Sequence, residues 1–145
     1  MPLKDYTTNK SPEETIGEIT KLLQPFGIRG VLSEYDDTGN IVKMSFTIRI
    51  KDQDFAYRLP SDWRPVLKYF EQDRKTPRNL CTEDQARRTA WRQIYHWIDA
   101  QLALVQVNMV TMQEIFLPYW EDVRTGKTLY EVFDNNPGLL LGNGK

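Results

Sequence analysis

The stretch from Thr82 to Trp120 constrains the fold more than any other part of the sequence. Gln85 follows Thr82 by three residues, a spacing typical of a helix that begins with a capping box. Apolar residues then recur mostly at three- and four-residue steps, as on one face of a helix. They include Ala86, Ala90, Ile94, Trp97, Leu104, Val105 and Met112, and the face is widened by Trp91, Ile98, Leu102 and Met109. The pattern predicts a long central helix with neighbours on two sides, and Trp97 as one of its core residues.

The sequence leaves the end of this helix open. Asn108 tolerates a left-handed backbone, and Thr111 with Glu114 forms a second capping box, which together favour a break. Met112 continues the apolar face, which favours an uninterrupted helix. Pro118 ends the segment in either case.

A small sheet is predicted before this helix. Residues 28–36 read as a strand that Gly30 weakens and whose register is uncertain. Residues 37–40 have the composition of a hairpin turn. In residues 42–50 apolar and polar residues alternate strictly, and a shorter alternation follows in residues 55–59. We therefore predict an antiparallel meander of about three strands, with one apolar and one wet face.

Three further helix starts complete the predicted fold. Ser11-Pro12-Glu13-Glu14 is a strong N-terminal signature, Ser61-Asp62 starts a second helix, and residues 125–128 turn into a last helical piece. The fold class is α+β, with the meander packed against the N-terminal helix, the second helix and the long central helix. We predict a single domain over residues 11–134, a flexible N-terminus over 1–10 and a flexible tail over 135–145.

Composition excludes several classes of protein. The 145 residues carry a net charge of −1, which argues against a chain that coats nucleic acid with its whole surface. The one cysteine, Cys81, cannot form an intramolecular disulfide, which favours a reducing compartment. The sequence lacks a membrane-length apolar run and a signal-peptide core, so we expect a cytoplasmic protein without a membrane partner.

No motif predicts catalysis. Thr125-Gly126-Lys127-Thr128 resembles the end of a phosphate-binding loop, but Glu121 stands where that loop needs glycine. His96 and Asp99 are one helical turn apart, yet one histidine and one carboxylate are too few for a metal site. We predict no metal, no cofactor and no catalytic residue. An enzyme whose site a single sequence does not reveal stays open.

Two groups of cations could bind phosphates. One lies on the wet face of the meander, and the other surrounds the start of the long helix. The first contains Lys43, Arg49, Lys51 and Arg58, and the second contains Arg74, Lys75, Arg78, Arg87, Arg88 and Arg92. The arginines at 88 and 92 lie in one helical row that we expect to face solvent. They predict nucleic-acid binding indifferent to base sequence, with an ordinary solvated surface as the alternative.

Large rings on and after the long helix predict a protein interface instead. Aromatic side chains supply much of the energy of such interfaces when they stay exposed. The candidate anchors are Trp91, Tyr95, Tyr119 and Trp120. The distal part of the helix and residues 116–120 carry more apolar surface than one small sheet can cover, which predicts self-association there.

One resemblance covers most of the chain after the first helix. The chain resembles a group of small uncharacterised proteins encoded by phages and other mobile elements. The segments that carry the resemblance are Ala90-Trp91-Arg92, Trp97, residues 100–104, Met109-Val110-Thr111, residues 116–119 and residues 128–131. The resemblance implies an accessory role in such an element and no activity or site. The sequence thus predicts a non-enzymatic accessory protein acting on an unknown protein partner or on itself, with nucleic-acid binding as the alternative.

Overall fold

Helices and two antiparallel sheets, a main one of three strands and a small one formed by two short strands, account for most of residues 2–138, which the computed structural model describes. The helices are α1 (Pro12–Leu23), α2 (Arg64–Gln72), α3 (Glu83–Gln106), α4 (Met112–Phe116) and α5 (Leu129–Asn135). The strands are β1 (Ile28–Tyr35), β2 (Ile41–Ile50), β3 (Gln53–Arg58), β4 (Glu121–Asp122) and β5 (Lys127–Thr128). This architecture confirms the predicted α+β class with its N-terminal and long central helices.

The main sheet is a meander with strand order β1-β2-β3. Phe46 in the middle of β2 lies opposite Val31 on one side and Tyr57 on the other. The inner face of β2 is buried at Met44, Phe46 and Ile48, as the alternation predicts. At the start of β2 the register is irregular, so Ile41 is buried and Val42 is 47% exposed, which reverses the predicted orientation of Val42.

The core lies between the inner face of the sheet and the helices. β2 and β3 contribute their inward side chains, and α1, α3 and α4 cover them. Buried residues from the helices include Ile19, Leu23, Trp91, Ile98, Leu102 and Phe116. No residue of β1 belongs to this buried cluster, although Ile28 packs against it. Trp97, predicted as a core residue, is only partly buried against the cluster, because its ring lies at the edge where α4 ends.

The central helix breaks where the second capping box allowed it. Thr82 accepts a hydrogen bond from the Gln85 amide at the start of α3. Asn108 adopts φ 63° just beyond its end, and Thr111 and Glu114 cap α4 reciprocally. Met112 is nonetheless buried. The break redirects the chain without taking this side chain out of the core.

The N-terminal segment is bound along α3 rather than loose. Gln85 donates to the carbonyl oxygens of Tyr6 and Thr8 at 2.8 and 3.0 Å, and Thr89 donates to that of Asp5. A row of polar side chains on α3 thus satisfies consecutive main-chain acceptors. The prediction of a flexible segment over residues 1–10 missed this row because nothing nearby in sequence indicates it. Residues 139–145 of the predicted C-terminal tail lie outside the described residues.

Trp91→Ala is expected to destabilise the fold by about 3–5 kcal/mol, because it opens a large cavity in the core. Trp91 is 2% exposed. Trp97→Ala should cost clearly less, since its ring is partly solvated. Thermal and denaturant unfolding measure both changes, with Tyr130→Ala, at a side chain 55% exposed, as the control. Equal losses for the two tryptophans would contradict their different burial.

Gln85→Ala is expected to release residues 6–8 from α3, because it removes both hydrogen bonds that one buried amide group donates to them. The loss should be about 1–2 kcal/mol in the free energy of unfolding. Faster amide exchange or proteolysis confined to the N-terminal segment would report the release. Gln113→Ala on the exposed side of α4 is the matched control. Unchanged protection of residues 6–8 would show that other contacts hold them.

Candidate functional site

The arginine row on α3 does not face solvent as predicted. Arg92 is 8% exposed, and its guanidinium lies 3.3 Å from the Glu18 carboxylate of α1 and 3.4 Å from the Thr15 hydroxyl. The same guanidinium sits over the ring of Tyr95, 4.3 Å from its centroid. Arg92 therefore joins two helices and is removed from the predicted nucleic-acid surface.

Glu18 is held ionised by the cations around it. The Lys10 ammonium, 2.8 Å away, lowers the pKa of the Glu18 carboxyl, and Arg92 lowers it further against the opposing effect of desolvation. The Glu18 carboxylate therefore serves as the counter-ion of Arg92 in the folded protein.

Arg87 is paired within its own neighbourhood. Its guanidinium lies 3.3 Å from the carboxylates of Glu83 and Asp84 and 4.7 Å from the centre of the Trp63 ring. Trp63 precedes α2, so this contact also fastens α2 to α3. The charge of Arg87 is compensated locally by the acids of the first turn.

The two remaining arginines of the predicted cluster are separate from these. Arg88 donates to the side-chain oxygen of Gln85 at 3.1 Å, and Arg78 is exposed in the short turn before α3. Of the four arginines predicted to converge, only Arg78 and Arg88 have no carboxylate within 4 Å among the described residues. The structure does not bring Arg78, Arg87, Arg88 and Arg92 together as one phosphate-binding surface.

The cations on the outer face of the sheet are also paired with acids. Glu121, whose side chain is 10% exposed, lies 2.9 Å from Lys43 and 3.6 Å from Arg58. Lys43 also pairs with Glu34 at 3.0 Å, and Arg58 pairs with Glu131. Burial alone would lower the pKa of Lys43, but the carboxylates of Glu121 and Glu34 outweigh it and raise that pKa.

A β-bridge explains why Glu121 lies there. Tyr57 pairs with Trp120 in an antiparallel bridge, so the chain passes along the outer edge of β3 and carries Glu121 onto the outer face. Ser45, predicted to be wet, is consequently only 5% exposed. Arg49 and Lys51 are the predicted sheet cations outside this covered region. The Arg49 guanidinium is 3.9 Å from Asp54, and Lys51 is exposed in the turn after β2.

The aromatic residues predicted as partner anchors are packed within the protein. Trp91 is 2% exposed and cannot contact a partner, which corrects that prediction. Tyr95 lies under Arg92, and Tyr119 packs edge-on against Trp97 with 5.5 Å between ring centres. Trp120 is partly buried and 6.0 Å from the ring of Phe55. Tyr119 and Trp120 form internal contacts because the chain after α4 folds back onto α3 and the sheet.

Exposed apolar side chains occur instead on β1. Val31 is 38% exposed, and Leu32 and Tyr35 are each 59% exposed. Leu32 lies opposite Ser45 on the outer face, and Val31 lies opposite Phe46 on the inner face. β1 is an edge strand paired only with β2, so its other edge presents unpaired main-chain amides and carbonyls in the described part of the chain. We call these three side chains together with the free edge the β1 surface.

A shallow hollow adjoins the β1 surface on the outer face. It has a volume of about 310 Å³ and lies among Leu32, Ser45, Glu121 and Val123. The Ser45 hydroxyl is buried there without a hydrogen-bond partner among the described residues. A side chain from a bound strand could enter this hollow beside Leu32.

A second exposed apolar group lies at the end of α3. It matches the region where the sequence predicted self-association. Its members are Leu104 at 37%, Val107 at 63%, Met109 at 69% and Leu117 at 50% exposure. We call it the distal surface. Met109 and Val107 belong to the turn that breaks the helix, so this surface has no regular row of unpaired main-chain groups.

No catalytic constellation is assembled in the described residues. His96 pairs with Asp5 at 2.6 Å rather than with Asp99, the carboxylate suggested by spacing. The Cys81 thiol is directed at the carbonyl oxygens of Phe70 and Pro77, each at 3.6 Å. Within residues 2–138, His, Cys, Asp and Glu side chains form no group of three that could hold a metal ion.

The remaining observations concern membranes and relatives. Among the described residues, no helix is long and apolar enough to cross a membrane. No protein-family model, curated protein or solved structure matches the chain.

Arg92→Glu is expected to destabilise the fold by about 3 kcal/mol, because it places a second carboxylate beside Glu18 in a buried position. Arg88→Glu, four residues away on a half-exposed position, should cost less than about 1 kcal/mol. Denaturant unfolding of the two variants measures the difference. Similar small losses would mean that Arg92 reaches solvent after all.

Proposed function

We propose that this protein is a non-enzymatic accessory protein that acts by binding other protein chains through the β1 surface. The observation that carries the proposal is the free edge of β1 flanked by exposed Val31, Leu32 and Tyr35. A strand edge binds an extended chain through main-chain hydrogen bonds, and side chains next to it supply apolar contact. The expected ligand is therefore an extended protein segment.

The two edges of the sheet differ in a way that supports this choice. The edge of β3 meets Trp120 at the Tyr57 bridge, and residues 120–122 cover it. β1 has eight residues, carries no proline or lysine, and keeps a regular register from Gly30 to Glu34. Proteins usually protect exposed edges with such residues, with bulges or with a covering segment. The central part of β1 lacks these protections.

The proposal that this protein serves a phage or another mobile element rests only on the resemblance of residues 90–131 to small proteins encoded by such elements. It fits a small binding protein without a catalytic site, and it adds no partner. This origin and the binding role of the β1 surface are separate proposals. If the origin proved wrong, the proposal of binding through β1 would still stand.

Nucleic-acid binding is the alternative function. Its support is reduced to the exposed linker cations Arg74, Lys75 and Arg78, with Lys51 in the turn after β2 and Arg88 on α3. The other predicted cations are paired with carboxylates. A few separated cations neutralise few phosphates and give weak, strongly salt-dependent binding.

A peptide-display selection against the full chain tests the proposed function. Extended peptides with alternating apolar residues should be selected, and their affinity should fall at least tenfold on Leu32→Lys, which adds a charge to the edge. Met109→Lys on the distal surface is the matched control and should leave the affinity within about twofold.

Two results would contradict the proposal. Peptides whose binding is lost with Met109→Lys and kept with Leu32→Lys would place the interface on the distal surface. Absence of any peptide that is sensitive to Leu32→Lys would remove β1 as a binding edge. Thermal unfolding of both variants verifies that the substitutions leave the fold intact.

A further inference from the structure

We infer that the strand completing the edge of β1 is β1 of a second copy of this chain, added antiparallel around a two-fold axis. The inference rests on the proposed function and names the partner at the same surface. The product would be one continuous antiparallel sheet of six strands, three from each copy.

The charges on β1 favour this partner and this direction. Arg29 lies near the start of the strand and Glu34 near its end. Arg29 lies at the register irregularity between Ile28 and Gly30. Antiparallel association with Leu32 opposite Leu32 puts Glu34 of one copy opposite Gly30 of the other, so Arg29 and Glu34 of the two copies are neighbours at both ends. Parallel association would bring like charges together, which is unfavourable across neighbouring strands. Arg29 has no carboxylate within 4 Å among the described residues, so its charge is available to a partner.

A two-fold axis near the centre of β1 would bring the exposed apolar side chains of the two copies together. Val31 and Leu32 are the central residues of β1 and project to opposite faces of the sheet. Opposite residues in an antiparallel pair point to the same face. An axis near the middle of the strand therefore brings the Leu32 side chains of both copies together on the outer face. On the inner face, the same axis brings Val31 of each copy near Tyr35 of the other copy.

Glu34 has a second partner that limits how it can be altered. Its carboxylate is 3.0 Å from Lys43 on the neighbouring strand β2. Lys43 also pairs with Glu121, so the charge of Lys43 stays compensated when Glu34 turns toward a second copy. Reversing the charge at this position with Glu34→Lys nevertheless puts the new lysine beside Lys43 within one chain. The effect of this substitution on folding therefore has to be measured separately.

Sedimentation or light scattering over a hundredfold dilution tests the inference. The wild-type chain should show a mass about twice 17.1 kDa at high concentration and dissociate on dilution. Arg29→Glu should raise the dissociation constant about tenfold, and high salt should reduce that difference. Leu32→Lys should leave a monomer. Arg74→Glu, an exposed arginine on the linker after α2, is the control for charge reversal and should dimerise like the wild type.

Charge complementation tests the antiparallel arrangement. Arg29→Glu and Glu34→Lys should each weaken self-association, whereas an equimolar mixture should form a mixed dimer at least as strong as the wild type. Opposite charges then meet at both ends of the paired strands. If Glu34→Lys melts well below the wild type, Glu34→Gln replaces it. Its mixture with Arg29→Glu should then recover only in part, because one end regains a Glu34–Arg29 pair while the other end places a glutamate beside a neutral glutamine.

The outcomes separate this inference from the proposed function. A monomer at every concentration that still binds selected peptides at Leu32 overturns the inference and leaves the proposed function standing. A dimer that is lost with Met109→Lys and indifferent to Leu32→Lys overturns the inference in favour of the distal surface. A mixture of folded charge variants that stays monomeric overturns the antiparallel pairing.

Discussion

The position of Phe116 decides how the rest of the chain is arranged around the sheet. Its ring is fully buried and lies 5.0 Å from the ring of Phe46, 6.2 Å from Tyr57 and 5.7 Å from Trp97. Rings at these separations and tilts add favourable edge contacts to the area that they bury. One residue of α4 thereby joins β2, β3 and α3. The helix cannot shift without opening the aromatic centre of the core.

The chain after Phe116 is directed by this anchor. A short turn brings Trp120 to the edge of β3, where it pairs with Tyr57, and Glu121 follows onto the outer face between Lys43 and Arg58. A nearly buried carboxylate between two cations is stabilised by both of them, while removal of the carboxylate itself would leave two neighbouring cations on one face of the sheet. The same connection closes one edge of the sheet and neutralises its outer face.

The other side of the sheet receives no such cover. The buried core draws on β2 and β3, and β1 extends beyond the helices with both faces largely exposed. A three-stranded sheet is small, so one anchored connection can protect only one of its edges. Because the edge of β3 is covered and the edge of β1 is not, β1 is the surface at which binding is proposed. It also makes the distal surface, though apolar, the weaker candidate.

The sequence by itself indicated the main helices and the three strands of the main sheet, whereas the short strands β4 and β5 were not predicted. The start of α1 at Ser11 and the break before α4 at Thr111 follow from side chains that cap main-chain groups three residues away. The alternation of β2 follows from a period of two, and α3 from steps of three and four. These signals are short-range, so they can be read along the chain without knowing what packs where.

Only the tertiary structure decided which of these surfaces stay free. Arg92 meets Glu18 across 74 positions of sequence, and Glu121 meets Lys43 only because the Phe116 anchor brings it there. Lys43 and Arg58 do project from the outer face as predicted, but their carboxylate partners come from distant segments. The exposure of β1 depends on where the helices end above the sheet. Pairings of this kind depend on long-range contacts, which local periodicity and capping do not encode.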